Sequence, residues 1–375
     1  MRTNERELAP WHRRQATLLY HFASLPYLKG LLEKINQLIS VTDDILEDRG
    51  GLDAAGRSLA HWQPADTAGH FSTHAFPALV DFKEKVIRAI AARSYERYGE
   101  AGERQCSRML QEYAYQMIWA TGEQEASFQG SAEAVFKYAG NISRMMRRPT
   151  TWNDFVFSLL WEQNRQDLPR SPCFRVRTDI ECVSGQTPPR TGVYVPQDDP
   201  MGALQFGWTG GYGELGDTYT LNDFGKIALE RVGRAGLWSD ESGLHALINE
   251  SQHRGLPKID DSDRARVDFA PAAVALQGFE GRPCKWYFVE LLDGEYEDHD
   301  GSYAGCAYAF PGSPLPFVPF PPPGGMARQR QGPGGPCKPG TPATKPRTTR
   351  GAPTMESGRD DAPYGAIRHT FAPTL

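Results

Sequence analysis

Apolar residues recur every three or four positions through the first 165 residues: Leu18, Phe22 and Leu25, then Leu28, Leu31, Ile35 and Leu38, then Leu79, Phe82, Val86 and Ile90. A period near 3.6 predicts amphipathic helices, each with one apolar stripe. Leu110, Tyr113 and Met117 predict another, as do Val135, Phe136, Ala139 and Ile142. Pro26 is expected to break or kink the first run, because an interior proline removes a backbone donor and clashes with the preceding turn. Stripes of this kind need neighbours to cover them, so residues 1–165 read as a helical bundle domain.

The period then changes to two. Phe174, Val176, Thr178, Ile180 and Cys182 alternate with Arg175, Arg177, Asp179 and Glu181, the pattern of a half-buried strand, and a second domain of residues 166–310 begins here. Short strands are predicted at 192–195, 204–208 and 285–292, separated by turn-rich segments. The pattern T-x-N-D-F occurs twice, from Thr151 to Phe155 and from Thr220 to Phe224. Each Thr is expected to cap a helix with its Asp at the third helical position. At the second copy Tyr219 and Phe224 fit a hydrophobic staple, and Gly233 fits the stop. The fold class expected is α+β: an N-terminal helical bundle, then a small mixed, mainly antiparallel sheet with one or two helices.

Composition adds a third region. From Pro311 to the end, 15 prolines and 10 glycines fall in 65 residues with almost no aliphatic side chains, so the segment 311–375 is expected to be a disordered tail. Its P-x-x-P stretch at Pro316 to Pro319 reads as compositional. The tail carries 8 basic against 3 acidic residues, so a chain of net charge −5 leaves a distinctly acidic body. That balance disfavours direct nucleic-acid binding and suits a basic protein partner. No apolar run reaches membrane-spanning length and the charged N-terminus does not read as a secretory signal, so no membrane contact and a cytoplasmic location are expected. The six cysteines form no C-x-x-C pair and read as reduced, structural thiols.

Candidate chemistry is sparse. The glycine-rich turn Gly207 to Gly216 lacks the G-K-[ST] ending of a phosphate loop and reads as a connection between elements. Asp198 and Asp199 precede Pro200 and read as turn-shaping acids more than as an acid–base pair. Six carboxylates lie between Glu290 and Asp300, among them Asp293, Glu295 and Glu297 at the spacing that opens a calcium loop. Asp298 stands where that loop needs glycine and Ala304 where it needs glutamate, so a solvated turn is the plain reading, with docking of a basic partner second. Trp286, Tyr287, Tyr296 and Tyr303 are interleaved with these acids, a pairing suited to an interface anchor within a steering field. His70 and His74 have helical spacing but no third ligand nearby, and neither a G-x-S-x-G elbow nor a Cys–His arrangement occurs. No metal, cofactor or catalytic set is indicated.

Six ordered blocks carry a resemblance: TTWNDF at 150–155, FRVR at 174–177, PPRTGVYVPQDDP at 188–200, ALQFGWTGG at 203–211, TYTLNDFGKIALERVGR at 218–234 and GRPCKWYFVELLDGE at 281–295. The chain resembles the immunity proteins of bacterial polymorphic-toxin and type VI secretion systems, in the classes numbered seventy-one and seventy-two. The similarity runs from roughly the second helix to about residue 310 and is strongest between 150 and 295. It implies a protein made beside a secreted toxin, which binds that cognate toxin and blocks it in the producing cell; it supplies no catalytic residues. Relatives continue with a further strand-rich block, whereas here the end reads Pro363-Tyr-Gly-Ala-Ile367 within the tail, a departure that points to a shifted reading frame or a degenerate end.

The sequence therefore favours a toxin-neutralising binding protein, not an enzyme. Its expected contacts are the acids Asp198, Asp199, Glu214, Asp217, Glu290, Asp293, Glu295 and Glu297, with Trp286 and Tyr296 as aromatic anchors. A carboxylate-dependent hydrolase using residues such as Asp198 and Glu214, or an adaptor of the secretion apparatus, are the alternatives, and self-association into a homodimer is left open.

Overall fold

The structure is a computed structural model that describes residues 7–48, 67–114, 117, 119–168, 170–253, 274 and 277–298. The expected tail, its P-x-x-P stretch, Tyr303, Cys306 and Cys337 lie outside these residues. The fold is α+β, and Met1–Pro311 forms one compact unit.

Helices α1 (Pro10–Ala23) and α2 (Leu25–Glu47) are separated by a single residue. The expected break falls just before Pro26, at the extended Ser24, and Pro26 itself lies in the first turn of α2, where a missing N–H costs nothing. Ser24 supplies the cap, its Oγ accepting the Tyr27 N–H at 3.2 Å. Leu25, which the period assigns to the first helix, belongs to α2 and is exposed. A helical turn (Thr67–His70) and a π-helical segment (Phe71–Ala75) lead into α3 (Phe76–Ala92), and α4 (Glu103–Tyr113) follows. Met117 lies beyond α4, buried. Helix α5 (Gly122–Met146) opens on a reciprocal box: Thr121 Oγ1 accepts the Gln124 N–H while Gln124 Oε1 accepts the Thr121 N–H.

Helix α6 (Asp154–Asn164) and helix α7 (Asp223–Ser239) arise from the repeated T-x-N-D-F, but the caps differ from the expected ones. Asn222, not Thr220, caps α7, its Oδ1 accepting the Gly225 N–H at 3.0 Å. Thr220 instead pairs in a strand, which removes the Tyr219–Phe224 staple. Asn153 occupies the α6 cap position in a left-handed conformation (φ 56°), and Thr151 Oγ1 accepts its N–H at 3.0 Å. Gly233 interrupts α7 without ending it: its φ of 70° and ψ of 172° break the helical run, which resumes to Ser239 and is followed by α8 (Glu241–His253). Only glycine reaches that backbone geometry without strain.

The strands are β1 (Arg170–Val183), β2 (Gly192–Pro196), β3 (Gln205–Gly207), β4 (Thr218–Leu221), β5 (Phe279–Arg282) and β6 (Lys285–Asp298). One sheet has the order β1-β6-β2-β3 and a second pairs β4 with β5; every pairing among the described residues is antiparallel. Neighbouring residues on a strand point to opposite faces, and both faces of the larger sheet are covered. Val193, Val195 and Val289 join the helices in the principal core, whereas Tyr194, Trp286 and Phe288 pack with Leu215 and Cys284 on the other side.

Strand β1 does not keep one apolar face. Between Arg177 and Glu181 it advances four residues while β6 advances one, from Phe288 to Tyr287. This odd insertion turns the strand over, so Val176 faces the principal core and Cys182 the opposite cluster. The single alternation expected from Phe174 to Cys182 is thereby corrected. The principal core itself runs through both halves of the chain, from Phe22, Phe82 and Phe128 to Val176 and Val289. Helix α1 fastens them together. Tyr20 Oη donates to Val289 O and accepts the Val193 N–H, His12 Nε2 lies 2.9 Å from Gly202 O, and Gln15 Oε1 accepts the Leu204 N–H.

Candidate binding surface

The acids singled out by sequence divide into engaged, buried and open groups. The run after Glu290 is not a turn: β6 continues through it, and while β1 advances two residues, from Pro172 to Phe174, β6 advances five, from Tyr296 to Leu291, forming a bulge. Glu290 meets Arg177 at 3.1 Å, and Glu297 meets Arg13 at 3.0 Å. Asp198 is held by Arg282 at 2.6 Å, and Glu214 lies 3.6 Å from Arg148. Asp293 and Glu295 stand exposed on the bulge beside Tyr296, which is 52% exposed and carries Arg170 over its ring at 5.8 Å. Asp217 is also exposed.

Two expected contacts are corrected. Trp286 is 0% exposed, its indole N–H directed to Ser184 Oγ at 3.3 Å, so it anchors the sheet rather than a partner. Asp199 is buried: Oδ1 accepts the Met201 N–H at 3.0 Å, and Oδ2 has no partner among the described residues. Burial pushes its carboxyl above the usual aspartate range, and the Met201 N–H pulls it part of the way back.

Among the described residues no group of three or more His, Cys, Asp or Glu is placed to hold a metal, and His74 stacks on Tyr113 at 4.6 Å. Cys106, Cys182 and Cys284 are buried free thiols; burial pushes Cys106 and Cys284 up to about 12. The glycine-rich turn connects β3 to β4.

That turn nevertheless builds a surface that residue spacing does not reveal. Past α3 the chain makes a 3-10 turn (Arg93–Tyr95) and enters a left-handed conformation at Glu96 (φ 52°). The Gly210 N–H donates to Glu96 O at 3.1 Å, and a side chain at Gly210 would collide with Tyr95 O and Glu96 O. Two residues on, Tyr212 is also left-handed (φ 57°). Left-handed backbone at non-glycine residues costs roughly 1–3 kcal/mol each and persists where the surroundings enforce it. Here it holds Tyr95 and Tyr212 outward, 72% and 91% exposed. Beneath them Tyr98 packs on Phe206 and Trp208, at 5.1 and 5.9 Å between rings, and Arg93 covers the Tyr98 ring at 3.6 Å.

No protein-family model, curated protein or solved structure matches the chain. No described helix is long and apolar enough to cross a membrane.

A second polar arrangement is internal. Arg234, one residue past the Gly233 break, makes two 2.8 Å hydrogen bonds to Asp154 and lies over the rings of Trp152 and Trp11 at 4.4 and 4.9 Å. The pair is buried, with side-chain exposures of 13% and 3%. Burial raises the Asp154 carboxyl, and Arg234 counters it. Such a pair positions elements; it presents nothing to a ligand. The signals legible in hindsight are the run Arg93-Ser-Tyr-Glu-Arg-Tyr98 closing an apolar helix, and a tyrosine among glycines at 212.

Proposed function

We propose that this chain is an immunity protein, which binds and neutralises a cognate secreted bacterial toxin by covering its working surface. One observation supports this beyond the sequence resemblance: two tyrosines stand out on interlocked, conformationally strained loops, at 72% and 91% exposure. Large, stiff, amphipathic rings on a rigid support contribute contact area at little entropic cost, which is why tyrosine is frequent at interface centres. The acidic body, with Asp293 and Glu295 exposed on the β6 bulge, would steer a basic partner toward the protein.

The hydrolase alternative draws on Asp198 and Glu214, and each is engaged by its own arginine. The adaptor alternative differs in outcome. Cells expressing the toxin of the neighbouring gene survive with an immunity protein present and die with an adaptor. Survival of cells carrying the wild-type chain, measured against an empty-vector control, is the expected result.

A further inference from the structure

Several elements are joined at the loop between β2 and β3, which runs from Gln197 to Leu204. His12 Nε2 and Gln15 Oε1 hold it to α1 at Gly202 O and the Leu204 N–H, Arg234 of α7 reaches Met201 O at 3.3 Å, and Arg282 of β5 grips Asp198 at 2.6 Å. At its centre lies Asp199, whose Oδ1 accepts the Met201 N–H and whose Oδ2 is enclosed without a partner among the described residues. A second such oxygen stands nearby. Thr218, the first residue of β4, is 2% exposed, and its Oγ1 likewise has no partner among the described residues. The two oxygens meet at Gly202: a Cβ there would stand 2.8 Å from Thr218 Oγ1 and 3.0 Å from Asp199 Oδ2. Only glycine leaves their approach to each other open.

Two buried oxygens in this arrangement are stabilised by a proton between them, and each one left bare keeps its desolvation cost. An ionised Asp199 lacks a counter-charge. Of the charged groups around the loop, Arg282 is taken by Asp198, Arg234 makes paired bonds to Asp154, and Lys285 of β6 lies 3.5 Å from Glu181. Asp198 and the exposed Asp217, next to Thr218, add like charge, and His12 turns its Nε2 to Gly202 O. Cys284, in the turn between β5 and β6, is a buried free thiol pushed up to about 12. Burial without compensation favours the neutral acid. The carboxyl's rise above the ordinary aspartate range, caused by burial and only partly reversed by the Met201 N–H and Arg282, agrees with this.

We propose that Asp199 and Thr218 form an acid-closed latch: as a neutral acid Asp199 donates its Oδ2 proton to Thr218 Oγ1 and pins the β2–β3 loop to β4, and loss of that proton to solvent releases the loop. The latch tightens as pH falls and opens as pH rises through the midpoint of the folded carboxyl, the reverse of a salt-bridged aspartate. What it governs is the seat of α1 on the loop, through His12 and Gln15. The proposal stands whether or not the chain neutralises a toxin.

The test follows the Asp199 carboxyl of the full chain by carbon-detected NMR across a pH titration, together with hydrogen exchange of the Gly202 and Leu204 amides, corrected for the pH dependence of exchange itself. The wild-type carboxyl is expected to titrate above 3.8, and the protection of both amides to fall about tenfold across that midpoint. Asp199→Asn, whose amide N–H replaces the acid proton, is expected to keep both amides protected at every pH. Thr218→Val is expected to raise the acid dissociation constant of Asp199 about three- to tenfold, the worth of one neutral hydrogen bond, because the neutral acid loses its acceptor; unchanged amide spectra elsewhere show that the variant is folded. Three results would overturn the proposal. They are a wild-type midpoint at or below 3.8, wild-type protection that does not change with pH, and a Thr218→Val midpoint that stays or rises, as it does if the hydroxyl donates to an ionised carboxylate.

Discussion

The body of the molecule and the segment around α7 and α8 bury comparable kinds of side chain but are secured differently. In the body, Phe22, Phe71, Phe82 and Phe128 are fully enclosed within one large apolar cluster that takes in helices and sheet alike. Around α7 and α8 a smaller cluster, including Trp152, Phe224, Leu237, Trp238, Leu244 and Leu247, has its own interior. What ties it to α1 and α6 is the Arg234–Asp154 pair between the Trp11 and Trp152 rings. Apolar packing degrades gradually when one contact is lost. A buried ion pair does not, since removing one partner strands the other in low dielectric. The indole N–H groups of Trp11 and Trp152 are also buried there with no hydrogen-bond partner among the described residues, so this junction has little polar compensation to spare.

The comparison can be broken most severely in the body. Phe82→Ala is expected to cost about 3–5 kcal/mol and to lower the urea midpoint of helix and sheet signals together. Separate transitions would show that the shared core is not cooperative. Next in size, Arg234→Met is expected to cost about 3 kcal/mol. Hydrogen exchange should then accelerate first in 223–253, and adding Asp154→Asn should recover most of the loss. A double variant no better than the single would mean that the pair's charge is not what holds the junction.

Gly233→Ala sharpens the same contrast at about 1–2 kcal/mol, because alanine is strained at a φ of 70°; a neutral result would indicate that α7 straightens freely. Asp199 gives the smallest effect and a pH signature. Its folded carboxyl is raised above the ordinary 3.8, so the folded chain binds that proton more readily than the unfolded chain. Stability from this group therefore declines as pH rises through the window above about 3.8. Asp199→Asn should remove that decline and be no less stable at neutral pH, as followed by thermal melts from pH 4 to 7. A variant that is less stable at pH 7 would assign Asp199 a compensated charge.

The division into helices and strands was legible wherever one period persisted, as along α2, α3 and β2. It was misread where tertiary pairing overrode a local signal. Thr220 has the chemistry of a helix cap, yet pairing with Glu280 places it in β4 and passes the cap to Asn222. The acidic stretch from Glu290 looked like a solvated turn because its charge density masks a strand whose partner, β1, lies more than a hundred residues away. The face change of β1 depends on a three-residue insertion relative to β6, invisible in either strand alone. The candidate surface was less legible than the fold. Asp293, Glu295 and Tyr296 do stand exposed, but Trp286 and Asp199 are buried, and the tyrosine rim needs loops 93–98 and 208–213 brought together by Gly210. Aromatic content near acids marks a sequence as able to bind; which rings face outward is decided by packing.

The most direct test of the toxin-binding account is calorimetric titration of the purified chain with the purified product of the neighbouring toxin gene, beside a Tyr95→Ala/Tyr212→Ala variant. The account predicts tight one-to-one binding by the wild type, weakened at least a hundredfold in the variant, whose melting temperature is unchanged because both rings are exposed. Absence of binding by the wild type, or identical binding by the variant, would contradict it.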